Sequence, residues 1–233
     1  MKVKRKILKK KLKEPDEFIS STEKAIQFIT QHLKKIAAGG IIVLIILLSL
    51  FLFQRWERQK EEGAYRKFSL AVEIYQMANS PSREGPPSEY KNLLEKFDEV
   101  ITKFPGTSSG KFSLLYKGSI HLHMGEFEEA AKSYQTFLQR AGKEKLYHLF
   151  ALEGLGYAYE GKKDFEKAVN AYQEIIKLGG SFQWGGTYLS MGRCYEKLGK
   201  IKEALENYKD FLKVSEKSPM SNGVLRKISL LEK

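Results

Sequence analysis

The sequence predicts an all-α protein: one N-terminal transmembrane helix followed by an α-solenoid of helical hairpins. Three observations carry this. Residues 36–54 form an uncharged run of 19 residues, long enough to span a bilayer as a single helix. Glycines recur at 118, 156 and 192, and alanines at 130, 168 and 204, each set spaced 38 and then 36 apart. Breaker clusters at Met124-Gly125-Glu126, Gly161-Lys162-Lys163-Asp164 and Leu198-Gly199-Lys200 each interrupt one helical period.

Residues 1–35 are read as a basic cytoplasmic tail with an amphipathic helix. They hold 11 Lys/Arg against Glu14, Asp16, Glu17 and Glu23, a net of +7 within a chain total of +12. Only +5 remains for everything after the uncharged span, so no nucleic-acid-binding domain is expected. Eight basic residues fall within the first 13. Residues 1–13 read first as a topology signal or a solvated run, with contact to anionic lipid headgroups as the functional alternative. Ribosomal RNA would attract them by the same phosphate electrostatics. Ser20 with Glu23 forms a capping box, after which Ala25, Ile26, Ile29, Leu33 and Ile36 line one helix face.

The span itself, 36–54, begins too far into the chain for a signal peptide. Arg55, Trp56 and Glu57 follow it where cleavage would need small residues. Local charge counting leans outward, since Lys24, Lys34 and Lys35 precede the span and five basic residues follow within the next 20. Translocating the tail would carry all 11 basic residues across, whereas long domains cross largely regardless of charge. The expected topology is N-terminus cytoplasmic and C-terminal domain periplasmic. Cys194 is the only cysteine, which leaves no disulfide framework and no lipid-attachment site near the N-terminus.

Residues 55–110 are assigned to a linker helix and a degenerate first repeat. No proline separates Phe53 from Tyr75, and only Gly63 weakens the helical pattern. Ala64, Phe68, Ala71 and Tyr75 sit on a first helix, with Leu93 and Phe97 on a second. The Pro/Ser-rich stretch from Ser80 to Pro87 accounts for about ten extra residues between them, read as a surface loop.

Residues 111–217 hold three copies of a tetratricopeptide-like pattern. The clearest has Leu152, Leu155, Gly156, Tyr159, Phe165, Ala168 and Tyr172. Its equivalents are Leu114, Gly118, His121, Phe127, Ala130 and Tyr134 before it, and Tyr188, Met191, Gly192, Tyr195, Ile201, Ala204 and Tyr208 after it. Small residues allow close helix approach, and aromatics fill the space between hairpins that cannot bury their own stripes alone. Residues 218–233, with Val224, Leu225, Ile228 and Leu231, are expected to form a capping helix.

A basic tail, a span near residue 40, Arg55-Trp56 at its exit, a Lys/Glu-rich helix and degenerate repeats: this order resembles the YfgM-like family, from about Asp16 to the C-terminus. The resemblance implies an ancillary subunit of the SecYEG translocon in the bacterial inner membrane. It would work with a PpiD-like chaperone on unfolded periplasmic clients. A scaffold for cell-envelope or division assembly with one fixed partner is the alternative reading.

Resemblance to tetratricopeptide grooves also implies a concave partner-binding surface: Phe112, Leu115, Tyr116 and Ser119, then Phe150, Glu153 and Tyr157, then Leu189 and Arg193. The set is mostly apolar and lacks the Lys/Asn arrangement that clamps a carboxylate, which favours apolar partner segments. The same side chains could equally be core. Trp184, flanked by glycines, is either an exposed contact or a plug between repeats. No catalytic set, cofactor or metal is expected. Gly156 to Lys163 only imitates a phosphate loop, lacking its final Ser/Thr. His121 and His123 point to different faces, and Cys194 reads as a packing thiol.

Overall fold

A computed structural model describes residues 17–80, 87–142, 145–179 and 184–233. Every regular element among them is a helix. The chain divides into two units between Glu57 and Arg58. The tail of residues 1–13 and most of the Ser80–Pro87 loop lie outside the described residues.

Helix α1 (Glu17–Ala78) crosses that division without a break. It already runs at Glu17, so Ser20 lies inside the helix and does not cap it. In the first unit, every large apolar side chain from Ile36 to Phe53 is exposed. The most apolar 18 residues of the helix have a mean hydropathy of 3.0, with none of that stretch buried. By length and composition this helix can cross a membrane.

The second unit begins with the end of α1, which packs with α2 (Pro87–Lys103) through Ala71, Ala78, Tyr90, Leu93 and Phe97. Three hairpins follow: α3 (Ser108–His123) with α4 (Phe127–Arg140), α5 (Lys145–Gly161) with α6 (Phe165–Leu178), and α7 (Gly185–Lys197) with α8 (Ile201–Val214). Helix α9 (Ser221–Leu231) closes on α8 by burying Val224 and Ile228. Leu225, expected on that buried face, is instead 53% exposed.

Within each hairpin a tyrosine of the second helix packs onto a glycine of the first. A Cβ at Gly118 would stand 2.7 Å from Tyr134, and one at Gly156 or Gly192 would stand 2.4 Å from Tyr172 or Tyr208. The hairpin turns pass through left-handed backbone at Gly125 (φ 73°), Lys163 (φ 61°) and Gly199 (φ 72°). Two of the three use the residue that tolerates this conformation best.

Adjacent repeats are joined by side-chain hydrogen bonds at matching positions. Gln135 Nε2 donates to the Tyr159 hydroxyl at 2.7 Å, and Gln173 Nε2 to the Tyr195 hydroxyl at 3.0 Å. At the next equivalent position Lys209 pairs with Glu232 at 2.8 Å. Thr107 caps α3 by accepting from Gly110 N at 3.0 Å, while Glu61 of α1 accepts from Ser108 N and Ser109 N. A carboxylate is favourable at a helix N-terminus.

Candidate functional site

Phe112, Leu115, Tyr116 and Ser119 recur at three- and four-residue intervals on α3, so they share one face. That face forms the floor of an open cleft of about 470 Å³. Tyr147 and Phe150 of α5 line its far side, Phe68 and Tyr75 of α1 its near side, and Tyr134 of α4 its depth. Seven of the nine lining side chains are aromatic, and none of the nine is charged.

The rings hold one another in place. Tyr116 stacks on Phe97 at 5.2 Å and meets Phe68 and Tyr75 edge-on at 5.6 and 5.2 Å. Phe112 meets Tyr147 at 4.5 Å. The Tyr75 and Ser119 hydroxyls are hydrogen-bonded at 2.8 Å. Burial raises the phenol of Tyr116, helped by the neighbouring Tyr75, and burial likewise raises that of Tyr134. These hydroxyls therefore keep their protons and can donate.

The sequence-predicted groove residues are only partly gathered here. Phe112, Leu115, Tyr116, Ser119 and Phe150 line the cleft. Glu153 and Tyr157 do not, and are linked to each other by a 3.3 Å hydrogen bond from the Tyr157 hydroxyl. Leu189 and Arg193 line a separate hollow of about 300 Å³ beside Met220 and Val224. Arg193 is engaged by Glu160 at 3.2 Å and by Ser190 Oγ at 3.0 Å. Its charge thus joins two repeats.

Trp184 is half-buried and packs against the central core cluster. A Cβ at its neighbour Gly185 would stand 2.0 Å from Ser215 Oγ, a hydroxyl that can rotate away, and 3.1 Å from Ser215 Cβ.

Other chemistry is accounted for by packing. Cys194 is fully buried, and burial, with Glu160 nearby, pushes its thiol up to about 12. His121 is buried with Nδ1 2.6 Å from Glu126 Oε2, whereas His123 packs against Tyr90. No cluster of metal-ligating side chains occurs among the described residues.

Phe68, Tyr75, Tyr134 and Tyr147 are the cleft residues that sequence reasoning did not assign to the groove. Phe68 stands three residues before Ala71, as Leu115 stands three before Gly118. That register was the available signal.

The tetratricopeptide-repeat family matches residues 112–178 and again residues 186–218. The chain carries tetratricopeptide repeats. Such repeats make a protein–protein interaction module, and the neighbouring solved structures agree on the fold. The crystal structure of MamA protein aligns with a TM-score of 0.56 at 18% identity, over 71% of this chain and 80% of that one. MamA from Desulfovibrio magneticus RS-1, residue 41 to its end, gives 0.54 at 16%, over 70% and 82%. The apo form of RapI gives 0.56 at 14%, over 73% and 63%. No curated protein matches the sequence.

Proposed function

We propose that this protein is a membrane-anchored docking module, with its tail in the cytoplasm and its repeats in the periplasm. There it holds partner or client proteins beside the SecYEG translocon. The observation that carries the docking role is the uncharged, aromatic cleft on the first-helix face of the repeats. Desolvating such a surface costs little, and burying it against an apolar segment is favourable. The exposed apolar stretch of α1 supports the anchor. The order of parts shared with the YfgM-like family supports the translocon, a PpiD-like chaperone and unfolded periplasmic clients as partners.

The test is purification of the tagged protein from membranes in mild detergent. Recovery of translocon subunits and periplasmic folding factors supports the reading, and recovery of neither sinks it. The pre-formed Tyr75–Ser119 hydroxyl pair favours a second reading, a scaffold in envelope or division assembly holding one fixed partner. That reading requires a single stoichiometric partner in the same experiment.

A further inference from the structure

We infer that the cleft takes a proline-rich, uncharged, extended segment of a partner protein, an inference that rests on the docking role proposed above. Three features of the lining select this chemistry. The first is its lack of charge: none of the nine lining side chains is charged, and Lys117, on the same helix as the floor, is held by Asp98 at 2.6 Å. An acidic segment or a terminal carboxylate finds no counter-ion among the lining residues, and a basic segment finds no carboxylate.

The second is the balance of donors and acceptors. The polar atoms of the lining are hydroxyls of Ser119 and of tyrosines 75, 116, 134 and 147. Hydroxyl donors suit a partner rich in bare carbonyls. The middle of a helix offers none, because its carbonyls are consumed internally. An ordinary extended strand offers carbonyls, but it also brings an N–H at every residue, and the five lining hydroxyls, two of which already pair with each other at 2.8 Å, leave few free lone pairs to accept them. A proline segment presents carbonyls while lacking those N–H groups.

The third is the density of rings. Aromatic-lined grooves receive the flat faces of proline rings, and a polyproline II segment loses little conformational entropy on docking. Phe112, Tyr147 and Phe150 form the accessible lip, with Phe150 49% and Tyr147 36% exposed.

The test uses the full-length protein in lipid nanodiscs and two fluorescein-labelled, uncharged peptides of about 12 residues, long enough for several turns of either helix type. One alternates proline with alanine, and the other is a helical leucine/alanine peptide. Fluorescence anisotropy is expected to show saturable binding of the proline peptide at sub-millimolar concentration. Tyr147→Ala with Phe150→Ala, both at the exposed lip, is expected to weaken it by roughly tenfold or more, with unchanged circular dichroism. Ser119→Ala is expected to weaken it several-fold.

Tighter binding of the leucine/alanine peptide, with displacement of the proline peptide, overturns the inference and leaves the docking role standing. Failure of both peptides to saturate, while partners still co-purify from membranes, also overturns it and spares the docking role. If neither peptide binds and nothing co-purifies, both readings fall.

Discussion

The ring of Tyr172 packs so closely on the backbone of Gly156 that a Cβ at residue 156 would stand 2.4 Å from its Cε1. Sixteen residues separate the two, and the same spacing relates Gly192 to Tyr208 and Gly118 to Tyr134. Tyr134 is held on a second side as well, by Gly154 of the next hairpin, where a Cβ would stand 2.3 Å from its ring.

Gly156→Ala and Gly192→Ala are therefore expected to force the tyrosine ring out of its slot. Overpacking of this kind costs about 1–3 kcal/mol. Gly186→Ala is the control, because nothing lies within 4 Å of the added methyl. It should be neutral or stabilising by up to about 1 kcal/mol, the helix-propensity gain. Thermal melts followed at 222 nm compare the three, and equal losses would refute the close-packing account.

Lys163 holds the left-handed turn position that Gly125 and Gly199 occupy in the other hairpins. That backbone costs an L-residue about 1–2 kcal/mol. Lys163→Gly should recover part of this, raising stability by up to about 1 kcal/mol after the entropy cost of glycine. Gly125→Ala and Gly199→Ala should lower it by a similar amount. Denaturant midpoints measure all three.

Cys194, buried and with its thiol pushed up to about 12, should resist maleimide and disulfide reagents at pH 7–8 in the folded protein. It should react in full once denaturant unfolds the repeats. The native cysteine is thus a poor topology reporter. Ser229→Cys on a Cys194→Ala background, at an exposed position of α9, serves better. Labelling by an impermeant reagent in cells with an opened outer membrane is the outcome the periplasmic placement requires.

Glu99 bridges Lys67 of α1 and Lys103 of its own helix, each at 2.8 Å. Hydrogen bonds from Lys103 and then Lys67 hold its carboxyl well below the usual range, at about 2. A depressed folded value means the contribution is present above the unfolded value near 4.5 and is lost as pH falls toward 2. A carboxyl titration by NMR should place the Glu99 midpoint near 2. It should return upward in Lys103→Ala, and further when Lys67→Ala is added.

How much of this was legible in sequence follows from what each residue type permits. The glycine–tyrosine slots were visible because close approach admits few residues, so the spacing of Gly118, Gly156 and Gly192 betrays the hairpins. Phe112, Leu115 and Tyr116 were legible as one helix face. Tyr75 was not legible as their neighbour, because its hydroxyl meets Ser119 across 44 residues and a loop insertion that blurs the repeat register. The ion pair of Arg193 was not legible, because periodicity reports the face of a helix and not the partner of a charge. Glu160, on the preceding repeat, claims it.

The junction at Lys209 differs in kind from those at Gln135 and Gln173. The two glutamines hold neutral phenols, whereas Lys209 holds the carboxylate of Glu232, with both side chains about half exposed. Exposed ion pairs fade as dissolved electrolyte shortens the reach of charge, and neutral hydrogen bonds do not. Brine therefore weakens the Lys209–Glu232 joint and spares the two glutamine joints, while α9 keeps its hold on α8 through buried Val224 and Ile228.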